Sequence, residues 1–516
     1  MSPRRIVFFS SFITTCGLIF FVLRDSVDDG RNLRAVLQNI HPSFETPTKL
    51  GATSCTQSIG WLEQYGFTSP IQYVSRDIIA RPREDAERLS LTLMKTPLFE
   101  TFTEVNLADS QTIQIEKCLP PLELEVPHAA VRVDASNMIF GLQTTIMRLR
   151  DTVKHLNRWL PNTGARLFAI VIDVDDDQEV PADDKQMKAL EKEFHELSMN
   201  VSVIHPVRPT DSFAQRYFSL ANVMYAARDE KTQWIVHIDD DTLFPSLYDL
   251  QRMLELHDWR KPQYIGSLSE DWWAVNHYGL MAFGGAGVFI SIPLAQIIDD
   301  HTDECKENLR TSAGDITVMD CVYRFSSVKL THVAGLHQVD LHGDLSGLYE
   351  SGREMLSLHH WKGDNKLEIE KMHMVADICD SCFLQRWQFP NDLVLSNGFS
   401  IASYPQGHLS GRRTGVLGRT MEKLDLGQIE TTWDNPDMNV LHSLAPTRDK
   451  LTEEEKIGYK LFDSMIINGA DIGAPGEKVV RQIYLKEGTD GARDTVMVLN
   501  WRIAPAMSTE GIPHHP

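Results

Sequence analysis

The sequence predicts an α/β fold: a parallel sheet with helices on its faces, preceded by a membrane anchor and followed by a small β-rich extension. Three observations predict it. Between Asn137 and Ile238 short apolar runs alternate with stretches of helical periodicity. Residues 6–23 are an uncharged run rich in Phe, Ile, Val and Leu. Beyond about Pro390, apolar and polar residues alternate and Gly and Pro become frequent.

Arg4 and Arg5 precede the run Ile6–Leu23, and Arg24 and Asp25 close it. A helix needs about 17–25 apolar residues to span a bilayer, and flanking arginines favour a cytoplasmic N-terminus. The expectation is a single-pass type II protein of the Golgi or ER membrane, with everything after residue 23 lumenal. The alternative is a cleaved signal peptide, for which Val22-Leu23-Arg24 is a poor cleavage site. Cys16 lies in the run; Cys55, Cys118, Cys305, Cys321, Cys379 and Cys382 are an even set free to pair in an oxidising compartment. Cys379-Asp-Ser-Cys382 has no second CxxC to make a zinc site and no thioredoxin-like pattern around it to make a redox one, so it reads as a structural disulfide. Asn200-Val201-Ser202 is a glycosylation sequon within a predicted strand.

Residues 1–5 are then a cytoplasmic tail, 6–23 the anchor, 24–115 a stem and N-terminal annex, 116–390 the α/β domain and 391–516 the extension. Met138–Gly141 is the first strand of that domain. Thr144–Leu160 follows as a helix, with Ile146, Leu149, Val153, Leu156 and Leu160 at steps of three and four. Leu167–Ile172 is a buried strand, Asp184–Leu197 a charged helix and Val201–Ile204 a third strand. Phe213, Tyr217, Leu220, Ala221 and Met224 mark a helix, and Trp234–Ile238 is the fourth strand. In such folds ligands collect beyond the carboxyl ends of the strands.

Charge excludes one class of partner. Lys and Arg number 50 against 71 Asp and Glu, a net −21, so a nucleic acid would be repelled.

The segment Trp234–Thr242 carries the strongest chemical signal: a buried strand runs into Asp239-Asp240-Asp241. Alternate side chains of extended chain share a face, so Asp239 and Asp241 point together and Asp240 points away. Converging carboxylates call for a cation, and Mn²⁺ or Mg²⁺ takes oxygen ligands. A solvated acidic turn is the plainer alternative; Asp175-Asp176-Asp177 is read mainly that way. Phe283-Gly284-Gly285-Ala286-Gly287 places glycines before the apolar run Val288–Ser291, where backbone can approach a ligand. Gly314-Asp315-Ile316-Thr317 opens an amphipathic stretch, where an Asp is ordinarily an N-cap. Leu358-His359-His360-Trp361 offers two imidazoles, either a core pair or metal ligands.

In this order, strand-Asp-Asp-Asp, Gly-Gly-Ala-Gly-x-x-x-Ser, Gly-Asp-Ile-Thr and His-His resemble the Fringe-like β1,3-glycosyltransferases. That broader group includes the core-1 galactosyltransferases, and the likeness is to its fungal branch. It covers roughly Asn137–Trp361. It implies a GT-A fold, a Rossmann-like mixed sheet with helices on both faces. It also implies a UDP-sugar donor, Mn²⁺ (or Mg²⁺), a glycan or glycoprotein acceptor, and β1,3 transfer with inversion.

By resemblance the metal is held by Asp239, Asp241 and a late histidine, His359 or His360. Asp240, Arg216, Thr144, Gly284 and Gly285 go with the donor. Asp315 is the base; Fringe has paired acidic residues there, and this chain has Gly314-Asp315. Trp272 and Trp273 are candidates to stack on the acceptor sugar, with core or loop packing as the alternative. Two further readings stand beside this one: a catalytically silent glycan-binding protein, and a retaining GT-A transferase.

Overall fold

In the computed structural model the described residues are 53–504, apart from 68–69, 84–87, 177, 308, 363–366, 406–408, 410–422, 435–443 and 490. The chain divides into Met1–Thr53 and Ser54–Pro516. Both large sheets and the helices packed on them belong to the second unit.

Eight strands form the sheet that carries the Asp triplet: β1 (Met138–Thr145), β2 (Arg166–Asp175), β3 (Gln178–Pro181), β4 (Asn200–Ile204), β5 (Trp234–His237), β6 (Tyr264–Gly266), β7 (Val288–Ser291) and β8 (Leu330–His332). Their order is β4-β2-β1-β5-β7-β6-β8, with β3 folded back on β2. The first four of that order run parallel, as the alternation predicts. Beyond β5 the sheet is mixed: β7 lies antiparallel to both β5 and β6. A mixed sheet is what the family resemblance implies; the parallel sheet read from the alternation of strands and helices covers only the first four strands of this order. The reversal matters for the site. Val288 pairs with His237, so the glycine turn that opens β7 sits where β5 ends and the aspartates begin.

Helices α1 (Ile146–Leu156), α2 (Asp184–Glu196), α3 (Phe213–Ala226), α4 (Leu247–Glu255), α6 (Ile292–Asp300) and α7 (Gly314–Phe325) pack on this sheet, and α5 (Trp272–Tyr278) packs beside α7. Alternation in the strands feeds two cores. Met138, Phe140, Trp234 and Val236 pack on one face with Leu149 and Leu250. Ile139, Ile235, Val288 and Ile290 pack on the other with Leu220 and Val318. Each such side chain stabilises by about 1.5–3 kcal/mol. Helix α1 is shorter than its periodicity suggests. Thr144 and Thr145 extend β1, paired with Val171 and Ile172, and the Thr145 side chain accepts from Arg148 N as the N-cap.

A second sheet of ten strands joins the two ends of this unit. Ile71–Pro82 lies parallel to Thr495–Ile503, with Ile78 opposite Trp501. Lys478–Lys486, Ile457–Asn468 and the hairpin Leu393–Ser403 continue it antiparallel. The C-terminal strands therefore share one layer with the N-terminal annex. The pairing buries Ile78, Leu499 and Trp501 in one core with Trp387 and Tyr484.

Disulfides join Cys55 to Cys118, Cys305 to Cys321 and Cys379 to Cys382. Asn200 is exposed at the start of edge strand β4. The placement as a single-pass Golgi or ER membrane protein is corrected. Among the described residues no helix is long and apolar enough to cross a membrane, and the run Ile6–Leu23 lies outside them.

Candidate active site

Strand β5 delivers Ile238 to the core and then releases Asp239, Asp240 and Asp241 into a cleft of about 1050 Å³. The turn is locked from both sides. Thr242 Oγ1 accepts from Asp239 N at 3.0 Å and donates to Gly285 O at 2.9 Å. Leu243 and Leu358 exchange backbone hydrogen bonds, each 2.9 Å. That bridge carries the next residue, His359, over the acidic turn. Trp361 adds a hydrogen bond from Nε1 to Asp241 O at 2.6 Å.

The structure separates the two histidines. His359 is buried, and its Nε2 lies 3.0 Å from Asp241 Oδ1 and 3.4 Å from Asp239 Oδ2. Its other nitrogen, Nδ1, meets Gln338 O at 3.2 Å. That carbonyl can only accept, so Nδ1 carries a hydrogen and Nε2 is the atom offered to the carboxylates. Gly285 makes this approach feasible, because a Cβ there would overlap the His359 ring. His360 turns away at φ 49°, and its Nδ1 meets Asp340 Oδ1 at 2.9 Å.

Electrostatics bear on whether this trio fits a divalent cation. Burial works against a charged His359, yet the Asp241 hydrogen bond and the Asp239, Asp241 and Asp340 carboxylates push it up to about 9. Burial also opposes the Asp241 charge, but His359 outweighs it and holds that carboxyl well below the usual range. The site thus draws positive charge onto the one nitrogen facing both carboxylates. Two oxygens and a neutral imidazole nitrogen are a donor set that Mn²⁺ accepts, so the residue types fit; each carboxylate faces the imidazole, but the three ligand atoms are not gathered within 4.8 Å of one another as those of His128, Asp249 and Asp380 are.

Asp240 points the other way. It is buried and accepts from Arg148 Nε at 2.6 Å, from Arg148 Nη2 and from Thr144 Oγ1, while Thr152 Oγ1 donates to its carbonyl at 2.9 Å. Thr144 and Arg148 both line the cleft. Arg216 does not line it. Its guanidinium forms two hydrogen bonds with Glu179, 2.6 and 2.8 Å, and another with Asp211 O.

Asp315 lies in the first turn of α7, whose N-cap is Ala313, so it is not the cap that its position suggests. Its Oδ1 accepts from Ile316 N at 2.9 Å and its Oδ2 from Gly284 N at 3.4 Å. The glycine turn therefore touches His359 on one side and Asp315 on the other. Burial first and the Asp239 charge second push Asp315 up to about 6, against the backbone N–H groups. Helix α5 packs beside it: Ala274 shares a small core with Phe283 and Ile316. Trp272 and Trp273 stand on the outside of that helix, 41% and 53% exposed.

Several residues here carry no signal in the sequence. Arg148, Gln338, Asp340 and Lys362 belong to no motif, and only Arg148, following a strand-helix junction, has a suggestive position. A second set of potential ligands, His128, Asp249 and Asp380, lies outside the cleft. There the imidazole nitrogens meet Ala129 O at 3.0 Å and Ser381 Oγ at 3.1 Å, with the Asp249 and Asp380 carboxylates further off at 3.6 and 3.8 Å.

Residues 274–373 match the model of a family described as a protein of unknown function, DUF604. The match contains the glycine turn, Asp315 and both histidines, and begins after the Asp triplet. No curated protein matches the chain. Similar solved structures include glycosyltransferases. One is the mannosyltransferase PcManGT from Pyrobaculum calidifontis in complex with GDP-Man and Mn²⁺, at 10% identity, 42% of this chain, 60% of that one and a TM-score of 0.26. Another is the glycosyltransferase GlyE of Streptococcus pneumoniae, at 15% identity, 37% and 44% coverage and 0.24. A third is mouse xyloside xylosyltransferase 1, at 10% identity, 39% and 85% coverage and 0.25. The chain thus spans 60% and 44% of the first two.

Proposed function

We propose that this protein is a metal-dependent, inverting glycosyltransferase. It moves a sugar from a UDP-sugar to a glycan or glycoprotein acceptor, in β1,3 linkage as the family resemblance implies. The observation that carries the reading is the convergence of His359 Nε2 with Asp241 and Asp239 at a strand's carboxyl end. The carboxyl of Asp315 stands across the same glycine turn.

Asp239, Asp241 and His359 would hold the cation, which when bound neutralises the diphosphate and eases its departure. Around it the chain's own groups have distinct tasks. Arg148 and Thr144 hold Asp240 away from the metal-facing side and keep the turn in register. Asp315 Oδ atoms accept the proton of the attacking acceptor hydroxyl, so that the oxygen reaches the anomeric carbon from the face opposite the leaving group. Trp272 and Trp273 offer flat apolar faces to the acceptor sugar, while Gly284 and Gly285, expected to meet the donor, instead make room for Tyr217 and His359. The cleft supplies the volume: about 1050 Å³ exceeds the usual range for a drug-sized ligand and suits a nucleotide-sugar.

The test is turnover. Purified protein is incubated with a panel of nucleotide-sugars and Mn²⁺, and nucleotide diphosphate release and product anomeric configuration are measured. Inverted product supports the reading. Retained configuration favours the retaining alternative, and donor binding with no turnover on any acceptor favours the silent one.

A further inference from the structure

Beneath Asp239 and Asp315 lie two polar groups that this chemistry leaves unused. Among the described residues the Tyr217 hydroxyl, on a side chain 4% exposed, has no hydrogen-bond partner, and neither nitrogen of fully buried His237 has one. Their rings stand 5.1 Å apart on α3 and β5. Buried polar groups almost always find a partner, so an orphaned hydroxyl beside a reaction site calls for a reason.

The site is built around this tyrosine. A Cβ at Gly314 would overlap the Tyr217 ring, and a Cβ at Gly284 would overlap its hydroxyl oxygen while lying 3.4 Å from Asp239 Oδ1. Two motif glycines, one preceding Asp315 and one donating to it, thus make room for a single side chain. The acidic groups that bear on the hydroxyl are Asp239 and Asp315. They differ in what they lack. Asp239 has His359 beside it, whereas the hydrogen bonds to the Asp315 side chain come from backbone, Gly284 N and Ile316 N. A phenol is a donor at neutral pH. It can orient a carboxylate without cancelling its charge, as a lysine in the same place would.

We infer that Tyr217 is a positioning residue for Asp315: its hydroxyl donates to that carboxylate and holds it against the Gly284 turn during transfer. The inference rests on the reading of Asp315 as the base. Two rival roles are distinguishable. The hydroxyl could serve Asp239, and so metal and donor binding, or it could be filler with no effect on rate.

Tyr217→Phe tests it in the full-length protein, because it keeps the ring against Gly314 and His237 and removes one oxygen. The expected result is a kcat lower by about tenfold to 10²-fold, the loss of a hydrogen bond to a charged group. Donor KM and Mn²⁺ affinity should stay at wild-type values, and the melting temperature should not fall, because Phe removes a hydroxyl that is unpaired in the resting site. Unchanged kcat overturns the inference, as does a loss confined to Mn²⁺ or donor affinity. In an Asp315→Asn background the tyrosine change should add little; a full additional loss also overturns it. The two readings fail separately. An active Asp315→Asn enzyme removes the base itself, while an inactive one beside a fully active Tyr217→Phe enzyme removes only the role of Tyr217.

Discussion

His359 Nε2 lies 3.0 Å from Asp241 Oδ1, and the imidazole is held in that orientation by Nδ1 on the carbonyl of Gln338. The pairing makes the histidine the cation of the metal-free site. With its value pushed up to about 9, His359 carries a proton at about pH 7.5 that an incoming Mn²⁺ must displace. Calorimetric titration with Mn²⁺ in buffers of different ionisation enthalpy should therefore show release of about one proton. His359→Ala should abolish both the release and tight binding. His360→Ala, whose imidazole faces Asp340, should leave both in place.

Asp239→Ala or Asp241→Ala should abolish Mn²⁺-dependent donor binding with the fold retained, read by calorimetry and circular dichroism. Asp240 should behave differently. It is buried against Arg148 and Thr144, so Arg148→Met should lower stability by about 1–3 kcal/mol. Chemical denaturation checks this. An Arg148→Met protein as stable as wild type would mean that Asp240 finds its compensation elsewhere.

Asp315→Asn should lower transfer by about 10²–10⁴-fold with little change in donor affinity, the usual contribution of a general base. The raised value of this carboxyl sets its pH signature. A base acts when ionised, so without a bound cation the ionised fraction grows as pH rises through about 6, and a nearby cation moves that limb lower. Stability has the opposite sense. A carboxyl whose folded value is raised above the unfolded one, near 3.9, favours the fold when protonated and loses that contribution between about pH 4 and 6. Metal-free Asp315→Asn should thus melt higher than wild type above pH 6, and the gap should close below about pH 4. Equal melting curves across that range would show that the Asp315 charge is solvated in the fold.

Trp272→Ala and Trp273→Ala should raise the acceptor KM while leaving donor affinity and melting temperature near wild type, because both indoles are exposed. Initial rates against acceptor concentration decide this. A fall in stability instead would make them packing residues.

Much of the α/β layer is legible in residues 138–238, because alternating burial on two faces of a strand and helical spacing are local patterns. The reversal of β7 is not. Val288–Ser291 reads as a strand in either direction, and only its pairing with Trp234–His237 sets the sense. The two histidines are likewise inseparable in sequence. They are adjacent, and their division depends on the positive φ of His360 and on Leu243, a distant partner in the chain. The membrane placement is overturned among the described residues by the absence of a long apolar helix.

Local pattern suffices for the strand that ends in Asp239–Asp241, for the glycine turn before Val288 and for the chemical types available to the site. Short-range sterics and the identity of the charge-bearing side chains dictate all three. Which groups meet is a matter of tertiary packing. Asp240 turns to Arg148, Arg216 to Glu179, and Ile71–Pro82 pairs with Thr495–Ile503. Burying a charge or a strand edge requires a specific partner. That partner can lie anywhere in the chain, so no local pattern names it.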